Sequence, residues 1–430
     1  MERKRFYVYP AGISGVLLGE MILKAEDDCE IIYIDDRGVG ITLEDYKDDI
    51  LQGGFVVNLA NNKVNGGNKK TIDILKKKLE KYGISYNEEA FCGYTLKMVS
   101  KITNDMKQFT GDIVGIELCG IASDKHIGYL DDYLLEHSRV NLLYICATKN
   151  SLENVLKKFK KSPFRNRVYA ICFPLEHTEK LSFLKALCKT SILNSKNNDV
   201  PTIYLGHALS DWSKVDMEKF YGDKIDYLSV GLKEFAPSNL KHIKIVESGY
   251  LGFDLVFKKI NFDCQKDSIL FAPYNEEEFF KFLPFMKRSL KKYRVIYRHR
   301  GFFEGKHLWC KTSEILKELR KNPNFSIDDS WSINPWSYSR SFAFVGGITT
   351  AVNTFPVLAL CPSVSDNRQL NLNLGVRVNF DKDDFFEIIE KIFCNQQQWR
   401  KRLLEYRELH FYHFGYASKI MGDFIISKFL

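Results

Sequence analysis

Three stretches carry side chains that could do chemistry, and each stands where an apolar run stops. In VPTIYLGHALSDWSK the run Ile203-Tyr204-Leu205 ends at Gly206, and His207 follows at once. A strand ending in Gly-His delivers its imidazole to an edge or crevice, where a group titrating near neutrality can take a hydroxyl proton. An ordinary loop histidine leaves the same trace. In RVIYRHRG, three potential cations close a second strand: Arg298, His299 and Arg300. Alternation lets at most two of them share a face. Guanidinium matches phosphate bidentately, although a solvated basic strand end has the same composition. In FAFVGGITTAV an apolar strand runs into Gly346-Gly347, with Thr349 and Thr350 at the start of a helix. The glycines allow close approach, the hydroxyls can donate, and a helix N-terminus favours an anion. Threonine also serves there as a plain N-cap.

Weaker candidates surround these. Asp328, Asp329 and Ser330 in SIDDSW could hold a ribose or polyol, or form a loop. Near the start, strand FYVY runs through PAGISG into a helix, placing Gly12, Ser14 and Gly15 in the turn. Asp35 and Asp36 end the next strand, where an acid can accept ribose hydroxyls. That turn is a possible ligand site, with Asp35 as its acid. Glu276, Glu277 and Glu278 look like a helix-start charge cluster, and Asp131-Asp132 like a solvated helix face. His410 and His413 lack a third metal ligand and suit a packed aromatic helix end, so no metal site is expected.

These residues need elements to position them. Strand and helix patterns alternate along the chain. FYVY, EIIYIDD and GGFVVNLAN with helices VLLGEMILKA and KKTIDILKKKLEKYG form a β-α-β-loop-β-α unit closing near residue 88. Strands then restart at DIVGIEL, NLLYICA, VYAICF, TSILNS, PTIYLG, DYLSVG and IKIVESG, and again at DSILFAPYN, YRVIYRH, FSIDD, SFAFVGG and FPVLALC. Short apolar strands with intervening helices imply parallel sheets covered on both faces. The expected organisation is a small Rossmann-like N-terminal domain over 1–88, a first Rossmann-like lobe over 89–255 and a second over 256–430. The second lobe would bind the nucleotide and end in helices, the last of which crosses back to the first.

Bulk properties narrow the classes. The 430 residues, 45% hydrophobic and 27% charged, are those of a globular protein. No apolar run reaches the roughly 20 residues that cross a bilayer, and MERKRFYVYPAG has no signal-peptide core, so a cytoplasmic protein is expected. The ten cysteines show no C-x-x-C spacing and read as reduced core thiols. A net charge of +8 suits polyanionic small partners, and no basic stripe interleaved with aromatics reads nucleic acid.

Taken in order, PTIYLGHALSDWSK, DYLSVG, VESGYLGFD, SILFAPYNEEE, VIYRHRG, SIDDSW and FVGGITTAV resemble the CDP-glycerol glycerophosphotransferase family of teichoic-acid and capsule polymer transferases, over about residues 110–365. Departures stand at Ala208 for Gly, Leu251-Gly252 for Pro-Arg, Arg300 for Pro, and Gly346 to Thr350 for Asp-Tyr-Ser-Ser; Lys214 is the nearest match to a displaced lysine. The first 88 residues resemble the sugar-nucleotide-binding domain of bacterial amino-sugar N-acetyltransferases, whose hexapeptide β-helix is absent here.

The family resemblance implies an α/β fold of two GT-B-like lobes. It implies catalytic roles for His207 and His299, with Arg298, Arg300, Gly346, Gly347, Thr349, Thr350, Asp329 and Ser330 on the donor. The activity implied is transfer of a glycerol-phosphate-like or related group from a CDP-linked donor to a hydroxyl of a bacterial surface or capsular polysaccharide or glycolipid. The donor is a substrate, and no cofactor is expected. Peripheral association with the inner face of the cell membrane would follow, with the basic helix at 69–81 as a candidate surface. The alternatives are a GT-B glycosyltransferase using a UDP- or GDP-sugar, and a non-catalytic sugar-nucleotide-binding protein of the same pathway.

Overall fold

A computed structural model describes residues 3–37, 41–61, 69–120, 123–192, 199–206, 209, 212–298, 302–303, 306–307, 309–330, 332–368 and 370–430. Three parallel sheets organise them. The first has strands β1 (Lys4–Tyr9), β2 (Cys29–Tyr33), β3 (Val57–Leu59) and β4 (Tyr86–Asn87), in the order β2-β1-β3-β4. Helices α1 (Ile13–Ala25), α2 (Leu43–Gln52) and α3 (Lys69–Lys81) make its crossovers. The connection expected as a loop between the second and third strands contains α2. Its start is a capping box: Thr42 accepts from the Asp45 N–H, and Asp45 accepts from the Thr42 N–H.

The second sheet contains β5 (Ile113–Leu118), β6 (Asn141–Cys146), β7 (Val168–Cys172), β8 (Ala186–Lys189), β9 (Thr202–Tyr204), β10 (Tyr227–Ser229) and β11 (Lys244–Val246). Their order is β11-β10-β9-β8-β5-β6-β7. The strand expected at TSILNS lies a few residues earlier, at Ala186–Lys189, with Thr190 just past its end. Only four residues long and ending in lysine, ALCK gives little apolar signal, yet Lys189 is buried beside Glu117. Helix α4 (Ala90–Met106) joins the first two sheets. Its Phe91, Met98 and Ile102 share one core with Leu18, Met21 and Ile22 of α1 and with Leu143 and Ile171. Each such buried side chain contributes about 1.5–3 kcal/mol, so separating the two units would be costly.

Helices α5 (Leu130–His137) and α6 (Lys149–Phe159) cover this sheet, and α7 (Met217–Tyr221) precedes β10. The solvated face expected for Asp131-Asp132 holds only in part. Asp131 is fully buried, accepting from the Tyr144 hydroxyl and from Lys158 Nζ at 2.6 Å. A carboxylate can be buried there because a phenol and an ammonium meet it.

After α8 (Asp254–Phe257) comes the third sheet, built from β12 (Ser268–Ala272), β13 (Arg294–Arg298), β16 (Phe325–Asp328), β17 (Ser341–Gly346), β18 (Ser363–Ser365) and β19 (Gly375–Arg377). Its order is β16-β13-β12-β17-β18-β19, and a separate hairpin pairs β14 (Phe302–Phe303) with β15 (Lys306–His307). Helices α9 (Glu276–Ser289), α10 (Cys310–Leu319), α11 (Pro335–Arg340), α12 (Ala351–Ala359), α13 (Phe385–Cys394) and α14 (Gln396–His410) surround it. The stretch FPVLALC, expected as a strand, belongs largely to α12. Val352 through Ala359 are all buried, and a helix buried on every side loses the apolar-polar period that marks helices.

The last helix, α15 (Ala417–Phe429), crosses back to the second sheet, where Met421 and Ile425 join Leu130 and Leu134. Asp254 holds its start, accepting from the N–H groups of Ala417 at 3.3 Å and Ser418 at 2.7 Å. Burial pushes the Asp254 carboxyl pKa upward, only partly countered by those bonds. Among the described residues no helix is long and apolar enough to cross a membrane.

Candidate functional site

Parallel α/β sheets present their ligand crevices beyond the carboxyl ends of their strands. Here the ends of the second and third sheets enclose one cavity of about 260 Å³. The second sheet contributes Lys125 and His126 after β5, Leu209 after β9, and Tyr250 and Gly252 after β11. The third contributes Tyr274 after β12, Arg298 at the end of β13, Ser330 and Ser332 after β16, and Thr349, Thr350 and Thr354 around the start of α12.

Of the expected cations, Arg298 lines the cavity. Its guanidinium donates to the backbone carbonyl of Ser332 at 2.5 Å and stands 3.9 Å from the Asp328 carboxylate. His207, His299 and Arg300 lie outside the described residues. Gly206, immediately before His207, has φ +81°, a left-handed conformation that favours glycine.

SIDDSW divides its labour. Asp328 is buried and accepts from the Ser330 hydroxyl at 2.6 Å, the Ser337 hydroxyl at 2.6 Å and the Asn334 amide at 3.1 Å. Burial pushes its pKa up, but the nearby Arg298 charge and these hydrogen bonds outweigh that, leaving it below the usual carboxylate range. Ser330 lines the cavity, while Asp329 is exposed and does not. The acid that serves the cavity is thus Asp328, acting through Arg298.

Thr350 occupies the N-cap position of α12 without a side-chain cap bond, and the Ala351 N–H instead donates to Thr349 Oγ1 at 3.2 Å. The expected use of the preceding glycines needs correcting. The space that Gly347 leaves open is filled by Glu278: a Cβ built on Gly347 would stand 2.0 Å from Glu278 Oε1. That carboxylate accepts from the Ile348 N–H and the Tyr274 N–H, both at 2.8 Å. A protein carboxylate therefore already occupies the approach that Gly347 was expected to leave for a phosphate, and Glu278 ties the loops after β12 and β17 together. At Gly346 the space goes to the Phe344 ring, 2.5 Å from a built Cβ.

The N-terminal turn is likewise occupied by protein atoms. A Cβ on Gly15 would lie 2.0 Å from the Pro10 carbonyl oxygen, so this glycine lets α1 approach the end of β1. Gly12 stands at the N-cap of α1, and Ser14 lies in its first turn. The Arg37 guanidinium grips Asp35, donating at 2.8 Å and 2.5 Å, and lowers its pKa. Asp36 accepts from Tyr9 and from Lys78 at 2.6 Å. His410 stacks on Tyr406 at 4.4 Å and pairs with Glu234 at 2.8 Å, as a packed helix end should.

The largest omission from the sequence reading is His126. It is 8% exposed, lines the cavity, and its Nδ1 lies 2.7 Å from the Tyr250 hydroxyl. A weak signal existed, because His126 lies in the loop after the strand DIVGIEL, although eight residues past its end, whereas His207 follows Leu205 by two. Tyr250 was visible only as half of a Gly-Tyr pair. Gly249 before it has φ +94°, and a Cβ there would stand 2.6 Å from the Tyr412 carbonyl.

No protein-family model matches the chain, and no curated protein matches it. Among solved structures, S. aureus MnaA bound to UDP superposes with a TM-score of 0.50 at 12% identity, covering 74% of this chain and 97% of the other. A variant of the wall teichoic acid polymerase TagF does so with a TM-score of 0.50 at 14% identity, covering 84% of this chain and 97% of the other. The architecture is GT-B-like. At these identities the likeness is one of fold: two Rossmann-like lobes with a small Rossmann-like unit before them. In this GT-B-like arrangement the cavity lies between the two lobes.

Proposed function

We propose that the chain transfers a glycerol-phosphate-like or related polyol phosphate group from a CDP-activated donor to a hydroxyl of a bacterial surface or capsular polysaccharide. The observation that carries this reading is the shared cavity, lined by an imidazole and a phenol from the first lobe and by Arg298 and three threonines from the second. The ordered motifs from PTIYLGH to FVGGITT favour a polyol phosphate as the group moved. The fold likeness to a wall teichoic acid polymerase agrees with it.

In the proposed step the acceptor oxygen attacks the phosphorus that carries the polyol. A new O–P bond forms, and the P–O bond to the nucleotide breaks with its electron pair leaving on cytidine monophosphate. The hydroxyl proton passes to a histidine, His207 by the resemblance, with His299 and Arg300 placed by it against the donor. Arg298, held by Asp328, stabilises the leaving phosphate, because preorganised charge in a water-poor cleft costs no reorganisation. The reading needs no metal. The acceptor side is open to a glycolipid, which would place the enzyme against the inner face of the membrane.

The test is release of cytidine monophosphate from CDP-glycerol and other CDP-polyols with acceptor glycan. Turnover that His207→Ala abolishes without unfolding the protein is expected. Inertness with every CDP donor removes the reading. One observation favours a second: the fold likeness to a UDP-bound protein suits a UDP-linked sugar as donor. Ranking CDP, UDP and GDP by thermal shift separates the two.

A further inference from the structure

The charged and titratable groups lining the cavity are all basic among the described residues apart from three tyrosines. Lys125 and His126 come from the first lobe and Arg298 from the second, with Tyr250, Tyr274 and Tyr338, and among the described residues no aspartate or glutamate lines it. A wall of that composition suits an anion. Histidine is the side-chain type among these whose unperturbed charge changes near neutrality.

His126 is also held in place. Tyr250, 124 residues away, meets its Nδ1 at 2.7 Å. The Tyr250 ring packs edge-on against Phe253 at 4.9 Å, and a Cβ on Gly252 would lie 3.0 Å from it. Burial, and then the nearby Tyr204, push the Tyr250 phenol pKa upward, so it remains neutral throughout the working range. A neutral phenol can donate to an unprotonated Nδ1 or accept from a protonated one, so this contact survives both states of the ring. Asp254, after the Leu251–Phe253 turn, is committed to the Ala417 and Ser418 N–H groups, and Asp328 to Arg298 and its hydroxyl partners.

We infer that His126 is a phosphate-binding residue of this cleft: as imidazolium, oriented by Tyr250, it pairs with a phosphate oxygen of the bound ligand. Tyr250 is a positioning residue. This rests on the cleft being a phosphoryl-ligand site but not on any group being transferred there. Pairing with an anion favours the charged ring, so binding takes up a proton, and affinity falls as pH rises through the imidazole's titration.

The experiment is calorimetric binding of CDP and of inorganic pyrophosphate between pH 5.5 and 8.5, in buffers of differing ionisation enthalpy. Wild type should take up protons on binding near pH 7. His126→Asn and His126→Gln should lose that uptake and weaken binding about tenfold at low pH, the size of one charge-assisted hydrogen bond. Tyr250→Phe should move the pH of half-maximal uptake while the protein stays folded. Equal uptake in wild type and both His126 variants, loss of uptake in His207→Ala alone, or failure of either ligand to bind wild type would each overturn the inference. Proton-linked binding without cytidine monophosphate release would leave it standing and remove the transferase reading.

Discussion

Replacing Gly347 with alanine sets a Cβ 2.0 Å from Glu278 Oε1 and 2.3 Å from its Cδ. Gly347 is not among the glycines with positive φ, so alanine fits the backbone and only the side-chain collision matters. Something must move, and the carboxylate is the movable party. To leave, it gives up the N–H groups of Ile348 and Tyr274, each at 2.8 Å. A hydrogen bond to a charged group contributes about 1.5–3 kcal/mol when buried. Ile348 is 68% exposed, so water replaces much of the loss. About 2 kcal/mol for the pair is therefore the expected local cost, equivalent to roughly 30-fold faster opening. Hydrogen exchange of peptides spanning Tyr274 and Ile348 reads this directly. Glu278→Ala should accelerate the same amides by a similar factor, and Gly347→Ala should add almost nothing in that background. Independent, additive effects, or exchange within threefold of wild type, would refute the clamp.

Asp328→Ala strips the partner from Arg298, Ser337 and Asn334 and should destabilise by about 3–5 kcal/mol, measured by thermal or urea unfolding. Because the folded Asp328 pKa is depressed, its contribution is present above the ordinary carboxyl pKa and lost as pH falls through the folded value. Asp328→Asn should therefore flatten the acid limb of a stability–pH curve, and an unchanged limb would contradict the assignment. Gly15→Ala, with its Cβ 2.0 Å from the Pro10 carbonyl, should cost about 1–3 kcal/mol by overpacking, as read from thermal unfolding. Arg167 donates to the carbonyls of Leu135, Ser138 and Val140 at 2.7–3.0 Å. Arg167→Lys cannot span all three, and faster hydrogen exchange at the end of α5 should report it.

Local pattern carried the strand positions well where a strand was long and apolar, as at Ile113–Leu118 and Ser341–Gly346. It failed where burial erased the pattern. Helix α12 reads as a strand because its buried faces leave no polar side to mark a period of 3.6. Strand β8 hides because a lysine ends it, and the facing Glu117, 3.8 Å away, offsets that buried charge. Helix α2 announces itself by Thr42 and Asp45, a signal present in the sequence but set in a weakly apolar stretch.

The candidate site divides along the same line. Arg298, Ser330, Thr349 and Thr350 were legible because each closes an apolar strand, and strand ends in parallel sheets open onto the crevice. Strand-end position could not say which neighbours fill the space beyond. That Glu278 occupies the room left by Gly347, that Asp328 rather than Asp329 serves Arg298, and that Tyr250 meets His126 are decided by long-range packing. Hydrophobic period and turn residues are properties of a few consecutive positions, so the chain alone determined alternating strands and helices in three parallel layers. Which side chains touch across the cleft depends on how two lobes and the returning helix α15 seat against one another, and only the tertiary structure fixes that.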